Sequence, residues 1–438
     1  MGSRRFHKES TMDIVLVFGV LIILILAGVP VAFSMGLSAL AAFAINGTLN
    51  LIPVLSQRIY SGSTSFVLLA IPFYIMSGLL MNGGGMSSVL FKASDVLVGR
   101  IPGGLGHVNI LVSMLFAGMS GSSVADATGV GVVEMEMMEK AGFDTKFAAS
   151  VTAASATIGP IIPPSIPFVV YGAISGVSVG KLFLGGMVPG LAMALAMMVT
   201  VYIIAIRRNY PRSQNRYGFV EGLLTLLKAI VPMGSFILII GGISMGIFTP
   251  TEAAIVASLY ALLIGTFVYR ELNLKILKSV VVETVRNTIR VVFIMAMAAA
   301  YAYALTIMRV PQRLTIALAT VAGTPWLFLL VTNALLLLLG CFMETISTIT
   351  LVTPILLPIA MRIGIDPIHF GIMMTLNLMI GQLTPPVGIL LYSVASMTKL
   401  SMRDLLSELW PYIVALFVVL ILVTYIPSIV MFVPNLLM

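Results

Sequence analysis

Residues 158–168 read IGPIIPPSIPF and residues 380–390 read IGQLTPPVGIL, and these two segments decide the fold. In both, a glycine is followed four residues later by a Pro-Pro pair. Proline removes a backbone donor and disfavours helical backbone at the residue before it. Each apolar run is therefore predicted to break near its middle, at 159–164 and at 381–386.

The two segments belong to an internal repeat displaced by 222 residues. Residues 118–189 align with residues 340–411 without a gap, and twelve of the 72 aligned positions are identical. The structure-setting identities are Gly118 with Gly340, Gly142 with Gly364, Asp144 with Asp366, Gly159 with Gly381, Pro163 with Pro385, Pro164 with Pro386 and Pro189 with Pro411. Identity at this level is modest support for a repeat, and the matching helix breaks strengthen it.

The composition places the chain in a membrane. Of the 438 residues, 59% are hydrophobic and 9% are charged, and the mean hydropathy is +1.12. A soluble domain carries about 25% charged residues. The apolar runs are too long for barrel strands of ~10 alternating residues, so the chain is predicted to be an all-α integral membrane protein. The single cysteine, Cys341, excludes a disulfide framework and a cysteine-ligated metal cluster.

Positive charge between the apolar runs predicts the orientation. The basic clusters lie at 92–100, 207–216, 270–290 and 399–403. All four are cytoplasmic only if the runs 105–133 and 326–361 enter and leave the membrane on the same side. We therefore predict about nine full spans and two re-entrant hairpins, the first opening inward and the second outward. The two copies then have opposite orientation, as in secondary transporters built from inverted repeats with a site near the midplane.

The predicted tip of the first hairpin reads AGMSGSSVADATGVG, residues 117–131. Its glycines allow a tight turn, and its hydroxyls and Asp126 supply oxygen atoms. Non-helical backbone at membrane depth must face protein or a watery cavity, where its carbonyls can bind a small hard cation. A carboxylate inside a span is costly and usually functional. The alternative is that Asp126 and Ser122 only cap a helix.

The second tip reads GCFMETISTITLVTP, residues 340–354, and again combines one acid with several hydroxyls. Glu344 aligns with Ser122, and a cap or rim position is its alternative role. The freed carbonyls at both Pro-Pro breaks are expected to meet the tips. Half-helix N-termini beyond the breaks would attract an anionic substrate group. The predicted substrate-binding residues are Ser123, Pro163, Pro164, Arg309, Pro385 and Pro386. For Arg309 an interfacial anchor is the alternative.

Other polar residues receive structural interpretations. Glu134, Glu136 and Glu139 with Lys140 are expected to form a solvated hairpin end. The chain contains no GxxxxGK[ST] or HExxH motif, which argues against direct ATP hydrolysis and against a zinc-dependent hydrolase. An MGS start followed by Met12 suggests vector-derived residues, so residues 1–12 are set aside.

Four segments resemble the large membrane subunit, the DctM or SiaM type, of tripartite ATP-independent periplasmic (TRAP) transporters. They are the first tip, AGFDTKFAASVTAASATIGPIIPPSIPFVVYG, GIFTPTEAAIVASLYALL and GQLTPPVGILLY. The resemblance covers the chain from about residue 13. It implies a sodium-coupled elevator-type importer of carboxylates such as sialic acid or C4-dicarboxylates in the bacterial inner membrane. It also implies two partners, a separate small membrane subunit of about four spans and a periplasmic substrate-binding protein.

Sodium as coupling ion, with no other cofactor, and the ion's ligands also follow from the resemblance. The implied sodium-binding residues are Ser120, Gly121, Ser122, Ser123, Asp126, Gly159, Glu344, Thr345, Thr348, Gly381 and Thr384. The predicted domains are a polar N-terminal segment (1–12), a scaffold (13–65, 207–290, 411–438) and a transport domain (66–206 and 291–410) that contains both hairpins. A single-chain sodium/dicarboxylate symporter is the alternative within transport, and an intramembrane enzyme or a channel is the alternative outside it.

Overall fold

The computed structural model of the chain describes residues 13, 16–213, 215, 217–310 and 324–438. The polar N-terminal segment predicted at 1–12 lies outside them. Within the described ranges the regular elements are helices, which confirms the all-helical class. The helices before the midpoint are α1 (Leu16–Leu26), α2 (Val31–Ile45), α3 (Ile52–Ser63), α4 (Ala70–Gly83), α5 (Met86–Val98), α6 (Gly104–Ser120), α7 (Ser123–Thr128), α8 (Val130–Lys140), α9 (Thr145–Ser155), α10 (Ile166–Ser175) and α11 (Val179–Arg208).

The helices of the second part continue the same numbering. They are α12 (Phe219–Ser244), α13 (Pro250–Leu263), α14 (Leu274–Ile307), α15 (Pro325–Phe342), α16 (Thr345–Arg362), α17 (Pro367–Gly381), α18 (Ile389–Thr398), α19 (Met402–Tyr425) and α20 (Pro427–Leu437). The two predicted hairpins correspond to α6–α8 and to α15–α16. They begin and end within a few residues of the predicted limits, except that α8 continues to Lys140.

Eight helices in the described part of the chain are long and apolar enough to cross a membrane. Six of the nine spans that the sequence predicted are among them, and the other two helices are α15 and α16, the arms of the predicted second hairpin. Three predicted spans, 14–45, 147–172 and 369–394, are not continuous helices. The first divides into α1 and α2 around Gly28, and the other two are interrupted at the Pro-Pro segments, where proline cannot donate to the helix. Each piece is then shorter than the ~20 residues of one span.

In the first repeat, α6 and α9 run parallel and side by side. Asn109 Nδ2 donates to Thr152 Oγ1 over 2.8 Å, and one turn later Ser113 Oγ donates to Ser155 Oγ over 2.9 Å. The contacts advance in the same direction along both helices. The chain between them, α7 and α8, must therefore run back toward the start of α6.

The second repeat has the same arrangement in α15 and α17. Asn377 Nδ2 donates to Asn333 Oδ1 over 2.6 Å, and further along both helices Gly381 lies against Gly340. These two helices are parallel, and α16 returns between them. Each repeat thus consists of a helix, a return segment and a second helix parallel to the first.

Both ends of the α6–α8 segment lie beside one loop, the loop that joins α11 to α12. In this loop, the Ser213 backbone N–H donates to the Gly99 carbonyl over 2.8 Å, and the Tyr210 hydroxyl donates to Asp144 Oδ2 over 2.5 Å. Gly99 precedes α6 and Asp144 follows α8. The segment therefore starts and finishes at the same end of the molecule.

The α15–α16 segment starts and finishes at the opposite end. The Tyr425 hydroxyl at the end of α19 lies 3.4 Å from the Trp326 carbonyl, where α15 begins. The Val423 carbonyl accepts from His369 Nε2 over 2.8 Å, just after α16 has ended. The start of α19 lies near the first segment, because Asp404 pairs with Lys146 at 2.7 Å. The 24 residues of α19 span about 36 Å.

The remaining helices pack around α13 and α14. Along α14 lie α2 and α3, where Gly62 fits against Ala299. Along α13 lies α4, and the Tyr74 hydroxyl donates to the Pro250 carbonyl over 2.8 Å. The division into a scaffold and a transport domain stays a prediction.

The substitution Gly78→Ala adds one methyl group and tests the contact between α4 and the first tip. A Cβ atom at Gly78 would lie 2.9 Å from the Met119 carbonyl oxygen and 2.9 Å from Ser120 Cα. Backbone atoms cannot move far to make room for a new side chain, and such overpacking lowers the free energy of unfolding by about 1–3 kcal/mol. We expect Gly78→Ala to lower the thermal midpoint of the detergent-solubilised protein by several degrees. Gly241→Ala, a helix position with no described atom within 4 Å, should leave the midpoint unchanged or raised. Equal midpoints for the two variants would contradict the contact.

Candidate functional site

The first tip is a sharp turn between α6 and α7. The helix α6 ends at Ser120, and Gly121 follows in left-handed backbone with φ 63°. A Cβ at Gly121 would lie 2.6 Å from the Pro164 carbonyl oxygen, so this position has no room for a side chain. Ser122 then begins α7 by accepting the Ala125 N–H over 3.4 Å. The tip is thus packed directly against the first Pro-Pro break.

Asp126 joins the tip to that break. Its Oδ1 accepts a hydrogen bond from Ser120 Oγ, and its Oδ2 has no hydrogen-bond partner among the described residues. The carboxylate occupies the space that a Cβ on Gly159 would need. Asp126 is 3% exposed. The expected meeting of Ser120, Asp126 and Gly159 is what the structure shows.

The second tip is built around a helix cap. The Glu344 carboxylate accepts the Ser347 N–H over 3.1 Å, and the Glu344 carbonyl accepts from Thr348 Oγ1 over 3.1 Å. The capping interpretation of Glu344 is therefore confirmed. Capping does not exhaust this carboxylate, which is half-buried and keeps further lone pairs. Its binding of a cation stays a prediction.

The second break packs against the second tip through backbone atoms. The Gly388 N–H donates to the Cys341 carbonyl over 3.0 Å, and a Cβ at Gly381 would lie 2.7 Å from Gly340 Cα. Thr384 Oγ1 donates to the Ile380 carbonyl over 2.8 Å. Both repeats therefore press a tip onto a break, the first through a carboxylate and the second through glycine backbone.

A glutamine side chain connects the two repeats, and the sequence interpretation did not assign it a role. Ser123 Oγ donates to Gln382 Oε1 over 2.8 Å, and Gln382 Nε2 donates to Thr345 Oγ1 over 2.5 Å. All three side chains are buried. Gln382 aligns with Pro160 in the first repeat, so a polar side chain within an apolar break was the available signal.

The expectation for Glu134 is wrong. Its side chain is 1% exposed, and neither carboxylate oxygen has a hydrogen-bond partner among the described residues. Glu136, Glu139 and Lys140 are exposed as expected. The helical period explains the difference, because Glu134 shares the inner face of α8 with Met135 and Met138.

The predicted substrate residues occupy unlike surroundings. Pro163 and Pro164 are buried, whereas Pro385 and Pro386 are exposed. Arg309 is exposed just after α14, in left-handed backbone with φ 55°, and in the described contacts it forms no side-chain hydrogen bond to a tip or a break. Only Ser123 of this set takes part in the link between the repeats. Their roles in binding substrate stay predictions.

The fold and the two tips can now be compared with known proteins. Residues 18–429 match the sequence family described as the DctM component of the tripartite ATP-independent periplasmic transporter. The chain belongs to this family. The predicted TRAP resemblance is thereby confirmed across nearly the whole chain.

Two similar TRAP permeases are of nearly the same length as this chain. The chain is 43% identical over 417 residues to the sialic acid TRAP transporter large permease protein SiaM of Vibrio cholerae, covering 94% of this chain and 96% of that protein. It is 40% identical over 381 residues to the C4-dicarboxylate TRAP transporter large permease protein DctM of Pseudomonas aeruginosa, covering 87% and 89%. These relatives are transporter permeases, and this TRAP permease is not an enzyme.

Solved structures share the fold at low sequence identity. The Alcanivorax borkumensis YdaH transporter aligns with a TM-score of 0.62 and 14% identity, over 86% of this chain and 88% of that one. The Neisseria gonorrhoeae MtrF protein aligns with a TM-score of 0.52 and 12% identity, over 89% and 85%. At this identity the likeness concerns the fold alone. It agrees with the all-helical fold described above.

Replacing Gln382 tests the link between the repeats of this TRAP permease. Gln382→Leu removes two buried hydrogen bonds and should lower the free energy of unfolding by about 1–3 kcal/mol. Ser123→Ala should cost clearly less in the Gln382→Leu background than in the wild type, because the partner is already lost. Thermal unfolding in detergent measures both effects. Ser396→Ala, an exposed hydroxyl on α18, serves as the control. Fully additive losses would show that the three side chains do not act together.

Proposed function

We propose that this chain is the large permease of a sodium-coupled TRAP importer for a carboxylate substrate. Family membership supports the transporter class. The names of the relatives supply the substrate class, because sialic acid and C4-dicarboxylates both carry carboxylates at neutral pH. Which of these the chain carries is decided by uptake, and sialic acid is the first substrate to test.

The observation that carries the sodium proposal is a pair of buried carboxylates. Asp126 and Glu134 are both buried in the first hairpin, and three of their four oxygens have no hydrogen-bond partner in the described part of the chain. Burying an ionised carboxylate without a partner is costly, and such groups are paired, protonated or bound to a cation. The hydroxyl of Ser120 and the backbone at Gly159 add oxygen ligands, which small hard cations prefer.

Coupling follows from the packing of tips on breaks. A cation at Asp126 would hold the first tip against Gly159. The same tip carries Ser123, which reaches Gln382 and through it Thr345 of the second tip. Ordering one tip would therefore order the other, and a substrate bound at the tips would bind more tightly when sodium is present.

We propose that α6–α8 and α15–α16 are re-entrant hairpins that open to opposite sides of the membrane. The contacts of Gly99 and Asp144 with one loop, and of Trp326 and His369 with the far end of α19, support this arrangement. With the basic clusters in the cytoplasm, the first hairpin opens inward. The moving unit of the elevator would contain both hairpins and both breaks, with α14 at its border.

The family also suggests the partners. We propose a small membrane subunit and a periplasmic substrate-binding protein, acting in the bacterial inner membrane. The helix α12 offers a surface for lipid or the small subunit, because only 22% of its most apolar stretch of 18 residues is buried within this chain. Phe219, Leu223, Leu227 and Ile230 are exposed along it.

Uptake into proteoliposomes tests the whole proposal. The vesicles would contain this chain with its small partner, labelled N-acetylneuraminate outside, and an inward gradient of sodium or potassium. Uptake that requires both sodium and the binding protein is expected. Sodium-driven uptake without the binding protein would point instead to a single-chain symporter. Absence of sodium-driven uptake with both sialate and C4-dicarboxylates would contradict the proposal.

Asp126 offers the sharper test of the ion site. Asp126→Asn keeps the size and the hydrogen bond but removes the charge, so the sodium concentration for half-maximal uptake should rise at least about tenfold, the effect of 1.4 kcal/mol. Glu136→Gln removes a charge from an exposed position in the same hairpin and should change nothing. Wild-type sodium activation in Asp126→Asn would show that the assignment is wrong.

A further inference from the structure

A second polar feature lies away from the tips, in a cavity of about 820 Å³. Its walls are α3, α10, α14 and α16. The face of α16 that lines it runs from Thr350 to Arg362, and the face of α14 runs from Met295 to Ala302. This volume is within the range of small-molecule sites.

We take the exposed Arg362 to mark the mouth of the cavity, and this residue lies at the end of the molecule opposite the basic loops. Met295 on α14 lies beside Thr350 on α16, and both helices run from there toward the mouth. The start of α14, at Lys275, is therefore at the far end. With the basic loops in the cytoplasm, the mouth faces the periplasm. From Arg362 to Thr350 the cavity extends about 18 Å along α16.

The lining is largely apolar, with a few polar groups and one positive charge. Proline at 354 and 358 cannot donate to the carbonyls of Thr350 and Pro354, so two backbone oxygens of α16 lack their helical partners on the cavity side. Ser65 and Ser175 contribute hydroxyls from the opposite walls. Arg362 is the one charged side chain among the described lining residues, is exposed, and forms no ion pair in the described part of the chain.

We propose that this cavity is a periplasmic vestibule that takes a carboxylate anion bearing hydroxyl groups, with Arg362 binding the carboxylate. Guanidinium groups bind carboxylates in a bidentate manner, while the hydroxyls and free carbonyls below suit a polyhydroxylated body. The floor at Thr350 is less than one turn beyond Thr348, so the vestibule leads toward the second tip. The identity of the anion as substrate rests on the proposed function, whereas the charge preference of the vestibule does not.

The charge preference is measured with thiol reagents on the full chain, purified with its small partner. Cys341→Ser removes the native thiol, and Ala302→Cys places one on the cavity wall. Asn50→Cys places one on an exposed turn outside the cavity lining as the reference. The probes are sulfonatoethyl and trimethylammonioethyl methanethiosulfonate, which differ in charge. Mass spectrometry follows the rate of modification by each.

The anionic-to-cationic rate ratio should be severalfold higher for Ala302→Cys than for Asn50→Cys, because the charge of Arg362 attracts one reagent into the cavity and repels the other. Arg362→Gln should abolish the preference and Arg362→Lys should retain it. Lys181→Gln, which removes a positive charge outside the lining, should leave it unchanged. Equal ratios at both thiols, or a preference that persists in Arg362→Gln, would overturn the vestibule. If Arg362→Gln does not fold, Arg362→Met, which keeps the aliphatic length of the side chain and removes its charge, should abolish the preference and takes its place in the test.

Transport supplies the second readout. In proteoliposomes, Arg362→Gln should raise the half-saturating concentration of N-acetylneuraminate severalfold while leaving the sodium concentration for half-maximal uptake unchanged. An unchanged half-saturating concentration would show that the substrate does not use Arg362. The two experiments test the anion site and the transport function independently, because the reagent rates require neither sodium nor substrate. A reagent preference without any sodium-driven uptake would contradict the proposed function and leave the anion site standing.

Discussion

Backbone that leaves helical geometry inside a bilayer must find its hydrogen-bond partners within the protein. In this chain the two Pro-Pro segments create such backbone, and each tip packs against one of these segments. The Gly388 N–H reaches the Cys341 carbonyl, and Ser165 Oγ donates to the Pro160 carbonyl over 2.5 Å. Parallel pairing of α6 with α9, and of α15 with α17, brings each tip to the level of its break.

The two repeats are similar in plan and different in chemistry. The first tip contributes a buried acid, one oxygen of which has no hydrogen-bond partner among the residues that the structure describes. The second contributes a helix cap and a hydroxyl that accepts from Gln382. Between them Gln382 donates on one side and accepts on the other, so it can serve two hydroxyls at once. An apolar residue at this position would leave both hydroxyls buried without that partner. The one amide therefore makes the two halves of the chain depend on each other.

Features set by local chemistry were predictable, and those set by distant partners were not. Composition gave the membrane class, and glycine with proline located both breaks, because these residues act on their own backbone. The meeting of the first tip with the break at Gly159 followed from the need to satisfy freed polar groups, and the family resemblance singled out Asp126 as the residue involved. Burial of Glu134 depends on which face of α8 turns inward, which a run of alternating Glu and Met does not reveal. The hydrogen bond between Ser123 and Gln382 joins residues that are 259 positions apart in the chain, so it could be found only from the three-dimensional structure.

The position of Cys341 has a practical consequence. It is the one cysteine in the sequence, it is 6% exposed, and its carbonyl receives the Gly388 N–H where the second tip meets the second break. A thiol held there reacts with a probe only when that contact opens. The native chain therefore carries its own reporter, and the speed at which Cys341 becomes labelled measures how often the second tip separates from the chain that seals it.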